Sequence, residues 1–166
     1  MKLAILYAAF LPFLWPEACG KSPAPSTTST TPPSELEALR ASLAPYSSFA
    51  LAKKANYSTA ITDCMSNGDE GAMGIHFAKT DLLDAHVDAT QPEALIYEPG
   101  TNGELSLVGV EFIVPFTAVS KQSPAPMLFG QKFSPNDVFG VWGLHVWTHR
   151  SNPRGLFASW NPRVHC

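Results

Sequence analysis

The chain lacks the common catalytic signatures. No G-x-S-x-G, H-E-x-x-H, C-x-x-C, P-loop or dinucleotide-binding fingerprint occurs in its 166 residues, which argues against a standard hydrolase or oxidoreductase. Charge is also scarce: Asp, Glu, Lys and Arg make up 15% of the chain and the net charge is −3. Its basic residues do not cluster beyond Lys53-Lys54, so the electrostatic footprint of a nucleic-acid binder is missing. There are no internal repeats. The longest apolar run, residues 3–15, is 13 residues long, short of the roughly 20 needed for a spanning helix. Cysteines number only three.

The short apolar run follows Met1-Lys2 and ends near Ala18, the pattern of a secretory leader. Residues 1–18 are read as a signal peptide. Residues 19–33, rich in Ser, Thr and Pro, are read as a flexible tether. Residues 34–166 remain as one globular domain. The chain is therefore expected to be exported. Cys19, followed by Gly20 and the tether, resembles the lipidated cysteine of a bacterial lipoprotein, although Pro16 and Glu17 depart from that motif. Lipidation would attach the protein to the outer or plasma membrane. Cleavage without it would leave a secreted or periplasmic protein, and an uncleaved apolar N-terminus is the third alternative. With Cys19 set aside, Cys64 and Cys166 are an isolated pair, most simply a disulfide in an oxidising compartment. The alternative is that Cys64, beside Met65, is a soft metal ligand.

The secondary-structure signals predict an α+β fold, with an N-terminal helical pair on a small antiparallel sheet. Ser34 and Glu37 form a capping box. Leu36, Leu39 and Leu43 follow at helical spacing and Pro45 stops the helix. A second short helix is expected over residues 48–55, stopped at Asn56, which also opens an Asn-Tyr-Ser sequon. Residues 67–74 read as a loop. Residues 94–98 and 105–114 read as a hairpin, with Asn102-Gly103 supplying positive φ in the turn. Residues 116–139, interrupted by three prolines, read as a long Pro-containing loop of the kind that often carries function. Residues 141–148 read as a third strand. The tail, with Phe157 and Trp160 among Asn-Pro turns, is expected to pack back on the core. Trp142, Trp147, Trp160 and Phe157 are read as core residues rather than a sugar-stacking platform.

Chemistry points to the histidines. His76 and His145 lie in apolar surroundings, and Glu111 interrupts the apolar return strand between Val110 and Phe112. A carboxylate on a buried strand needs a partner. On the hairpin it is expected to share a face with Leu107, Gly109 and Ile113. We therefore expect His76, Glu111 and His145 to converge on a divalent metal, with His149 or Glu98 as a fourth ligand. Two imidazoles and a carboxylate suit zinc, iron or copper, and Met65 and Met73 raise copper as a variant. The alternatives are a core network in which the two histidines hydrogen-bond to Glu111, or catalysis without metal. The leading function is an exported cell-envelope or secreted metal-binding protein; a non-enzymatic envelope domain, binding its partner through the long loop, goes with the core network, and a hydrolase using a metal-bound water is the third option. His86 and His165 are read as surface residues.

Six segments, GAMGIHF (71–77), PEALIYEP (92–99), LSLVGVEFIVP (105–115), LFGQKF (128–133), LHVW (144–147) and NPRGLFASWNPRVHC (152–166), follow one another in the order of a known pattern. In these the chain resembles a family of exported, mostly bacterial proteins with no established activity. The resemblance implies that His76, Glu111, His145, Cys64 and Cys166 occupy motif positions. It leaves His149 outside the core set, because the family pattern has an aromatic there and a histidine two residues later, where this chain has Ser151.

Overall fold

A computed structural model describes the backbone of residues 33–166 and side chains from residue 35 onward. The predicted signal peptide, the tether up to residue 32 with Cys19, and the Ser34 capping side chain lie outside the described residues. Helix α1, Pro33–Leu43, has proline at its first position, where the missing N–H costs nothing. It passes into a 3₁₀ turn, Ala44–Ser47, and then α2, Phe49–Lys54. Asn56 ends this unit in the left-handed region, at φ 72°. No helix among the described residues is long and apolar enough to cross a membrane.

The rest is an antiparallel sheet. Its strands are β1 (Thr59–Ala60), β2 (Met65–Ser66), β3 (Ala72–Ala78), β4 (Ala94–Pro99) and β5 (Leu105–Pro115). After a small hairpin of β6 (Met127–Leu128) and β7 (Gln131–Lys132), β8 (Ser134–Asn136) and β9 (Val141–Val146) complete it. The order across the seven-stranded sheet is β1-β3-β4-β5-β9-β8, with β2 also on β3. The α+β architecture is as expected, but the sheet is larger.

Three corrections to the sequence reading stand out. The expected loop at residues 67–74 gives way at Ala72 to β3. Two of its three glycines serve close approach instead: a Cβ on Gly71 would lie 2.1 Å from the Asn161 carbonyl oxygen, and one on Gly74 would lie 2.7 Å from that of Tyr97. The long loop is partly ordered into β6, β7 and β8, and Pro135 is accommodated because β8 is an edge strand. In the β4–β5 turn only Gly103 has positive φ, at 80°, whereas Asn102 uses its side chain to accept the Glu104 N–H.

One face of the sheet is covered by the helices. Leu39, Leu43 and Ala52 pack there with Leu95, Tyr97, Phe112 and Val146, all fully buried. A register shift decides which β5 residues join them. Ile96 pairs with Gly109 but Tyr97 pairs with Leu107, so Val108 is an extra residue in β5, a β-bulge. Leu107 therefore turns to the helix-covered core, not to the face of Glu111 as the simple alternation predicts.

The tail packs back on the opposite side of the sheet. Ala72 and Asn161 exchange backbone hydrogen bonds of 3.1 Å, and Val164 is fully buried. Cys64 and Cys166 are joined in a disulfide that closes a sequence separation of 102 residues. The chain-entropy model assigns such a closure at most ~4–5 kcal/mol. A Cys64→Ser/Cys166→Ser variant should accordingly unfold at a markedly lower urea concentration. An unchanged midpoint would mean that the tail is held by its noncovalent contacts alone.

Candidate metal centre

His76, Glu111 and His145 come from three different strands and share the sheet face opposite the helices. Glu111 is directly opposite His145 in the β5–β9 register, and opposite Ala94 in the β4–β5 register. His76 is one strand further away, on β3, facing Ile96. Two strand spacings put β3 roughly 10 Å from β5, a gap that the imidazole and the carboxylate bridge together.

The donor atoms meet closely. His76 Nε2 lies 3.1 Å from His145 Nε2 and 3.3 Å from Glu111 Oε2, and His145 Nδ1 lies 3.8 Å from Glu111 Oε1. One ligand atom from each residue can be chosen so that all lie within 4.8 Å of one another. A tetrahedral centre with metal–donor bonds near 2.0–2.1 Å has donor–donor edges of about 3.3 Å. The two contacts of His76 match that edge, and the donor set suits a borderline ion such as zinc.

Burial sets the protonation of the unliganded cluster. His76 is 1% exposed and His145 8%. Loss of water lowers the His76 pKa to about 4 and that of His145 to about 3, the second also through its neighbour His76. Burial raises Glu111 to about 8, helped by the charge of Glu93. At neutral pH the imidazoles are already in the form that binds metal, whereas the carboxyl must give up its proton.

The supporting residues include several that sequence reasoning missed. Thr62 Oγ1 accepts the His76 backbone N–H at 3.2 Å and sits 3.0 Å from its Nδ1, fixing the ring with Nε2 toward the cluster. The Trp147 ring stacks on His145, 6.0 Å between centroids. Glu93 is 1% exposed, and its Oε2 accepts the Ile113 N–H at 2.9 Å; burial raises its pKa to about 7. A Cβ at Gly143 would stand 2.5 Å from Glu111 Oε1, so only glycine leaves the carboxylate its place. Neither Thr62 nor Gly143 carries a local signal. Glu93 could have been noticed as a charge adjoining the apolar start of β4.

The two proposed fourth ligands lie elsewhere. Glu98 is paired with Arg150 and accepts the His165 backbone N–H at 2.9 Å. His149 is beyond the end of β9, exposed, beside Thr148 and the cavity that Arg40 lines. The four-residue spacing from His145 does not keep them together because the chain turns after Val146, where Thr148 N–H bonds back to the Val146 carbonyl. Cys64 is engaged in the disulfide and is not a ligand. His86 and His165 are exposed as expected. Met65 and Met73, on β2 and β3, line the same cavity as the cluster.

That cavity has a volume of about 210 Å³. Ile61 and Phe139, 37% and 49% exposed, stand among its lining residues and bring it to the surface. Structural zinc sites are closed by four protein ligands, whereas three ligands beside open space leave a coordination position for an exogenous molecule. No protein-family model, curated protein or solved structure matches the chain, so the functional reading rests on these residues themselves.

Proposed function

We propose that the chain is an exported protein that binds one divalent metal ion, zinc, copper or iron, through His76, Glu111 and His145. The observation that carries the metal reading is the pair of donor distances at His76 Nε2, 3.1 and 3.3 Å, the edge lengths that a tetrahedral centre needs. A bound ion would supply Lewis acidity at the open position, the chemistry that a metal-dependent hydrolase would use. The Cys64–Cys166 disulfide supports export, since such bonds persist in oxidising compartments. The leader and the resemblance to exported proteins point the same way, and Cys19 would be the site of a lipid anchor.

A second reading has its own support. No buried side-chain nitrogen or oxygen among the described residues lacks a hydrogen-bond partner, and His76 Nε2 bonds to His145 Nε2 with the Glu111 carboxyl 3.3 Å away, so the cluster also serves as a polar network without an ion. In that reading the three residues order the core of a non-enzymatic envelope domain.

Elemental analysis and zinc titration of the full chain separate the two, set beside a His76→Ala/His145→Ala variant checked by circular dichroism. One equivalent of metal is expected in the parent. The folded variant should bind on the order of a hundredfold more weakly or worse, because loss of a supporting residue alone typically weakens such sites 10–100-fold. A parent that takes up no metal after reconstitution would leave the network reading standing.

A further inference from the structure

We infer that the cavity beside His76, Glu111 and His145 binds a small monoanion with an apolar body, such as a short-chain or aromatic carboxylate, its head group taking the open coordination position. This rests on the metal-binding reading above and names the class of molecule that the same centre would accept.

The lining carries the argument. Ile61, Met65, Met73, Ile113, Val141 and Phe139 present hydrocarbon and thioether surface to the cavity. Among the described residues no lysine or arginine lines it, so a phosphate or another multiply charged anion would find none of its usual side-chain partners. Apart from the three metal-ligand candidates, the polar side chains of the lining are Thr62 and Asn136. Thr62 is engaged with His76, and Asn136 accepts the N–H groups of Val138 and Phe139 through Oδ1, which leaves only its amide nitrogen to donate. A polyhydroxylated ligand such as a sugar would lose water here and replace few of its hydrogen bonds.

Charge narrows the class further. A divalent ion with one ionised carboxylate and two neutral imidazoles leaves the three-ligand centre itself with a net charge of +1, and a single monoanion cancels it. An uncompensated charge in a largely apolar cavity is unfavourable, so a monoanion suits the site better than a neutral molecule or a dianion. The position of Phe139 and Ile61 between cavity and solvent lets the apolar body extend from the ion toward the mouth, covering surface that is otherwise wet.

The test uses the full chain loaded with cobalt(II), whose visible bands report both metal binding and a change of ligand. Acetate, hexanoate, benzoate and inorganic phosphate are titrated separately. Hexanoate should bind about tenfold or more tighter than acetate, because its additional methylenes leave water for the apolar walls. Phosphate should bind no better than acetate. Phe139→Asp, a change at a half-exposed turn position, should keep the cobalt spectrum and shrink the hexanoate preference toward unity. If the cobalt bands form but hexanoate and acetate bind alike, or phosphate binds best, the inference is overturned and the metal centre stands. If no cobalt bands form, the metal reading fails and this inference falls with it.

Discussion

Replacing Glu111 with glutamine is expected to abolish metal binding and, in the metal-free protein, to raise stability at pH 8. The two effects have one cause. Glu111 is held protonated by burial, with its pKa raised to about 8 from an ordinary 4.5. A group whose folded pKa lies above its unfolded value favours the folded state fully below the unfolded pKa, and that contribution is lost as pH rises through the folded pKa. Between pH 4.5 and 8 the metal-free parent should therefore lose stability, on the order of a few kcal/mol in total, whereas glutamine stays neutral throughout. His76 and His145, lowered to about 4 and 3, act in the opposite direction as pH falls below 6.5, but equally in both proteins, so they cancel in the comparison. Urea unfolding of chelator-treated parent and Glu111→Gln at pH 5, 6.5 and 8 should show curves that nearly coincide at pH 5 and separate at pH 8. Metal affinity of the parent should rise about tenfold per pH unit up to pH 8, the slope of one proton released. A glutamine variant that binds zinc as the parent does would remove Glu111 from the ligand set. Equal stabilities at pH 8 would show that the carboxyl is not held protonated.

Gly143→Ala should separate the site from the fold. Gly143 pairs with Ile113 across β5 and β9, and its absent side chain is where the Glu111 carboxylate lies. A methyl there meets Oε1 at 2.5 Å and little else. The group that must move is the end of a flexible side chain, so the backbone need not shift, and the unfolding midpoint is expected to change by less than about 1 kcal/mol equivalent. The carboxylate, however, leaves its place beside His76 Nε2, and zinc affinity should fall by about 10–100-fold, the range seen when a ligand loses its orientation. Gly109 makes the contrast: a Cβ there would strike the Val146 carbonyl oxygen at 2.9 Å, a backbone clash that only the fold can absorb. Zinc titration beside urea unfolding checks the prediction. Parental affinity in Gly143→Ala would mean that Glu111 reaches the ion equally well from another rotamer.

Some of this was visible in the order of residues. Leu36, Leu39 and Leu43 recur at helical spacing and end at Pro45, and the helix they imply is there. The apolar, β-branched runs at residues 94–98 and 105–114, separated by a Gly-containing turn, mark the central hairpin. Two cysteines outside the leader region left one intramolecular pairing. Glu111 drew notice because a charge inside an apolar strand needs a partner. Other features were hidden for definable reasons. Glycines and acids before Ala72 resemble a loop, because their use against Asn161 and Tyr97 depends on contacts far along the chain. Pro135 resembles a strand breaker unless one knows that β8 is an edge. The bulge at Val108 adjoins Gly109, but a glycine in a strand marks close backbone approach as readily as a bulge, and only the register shift shows that Leu107 turns to the opposite face.

By itself the sequence determined the kinds of group available: two imidazoles and one carboxylate, each set in an apolar stretch whose period of two brings it to one face of a strand. It could not determine that they meet. His76 and Glu111 are 35 residues apart and Glu111 and His145 are 34, and local pattern says neither which strand lies beside which nor in what register. The order β3-β4-β5-β9 and the pairing of Glu111 with both Ala94 and His145 decided that. Strand order and register follow from how the whole set of apolar faces is buried at once, which is why the centre exists only in the folded sheet.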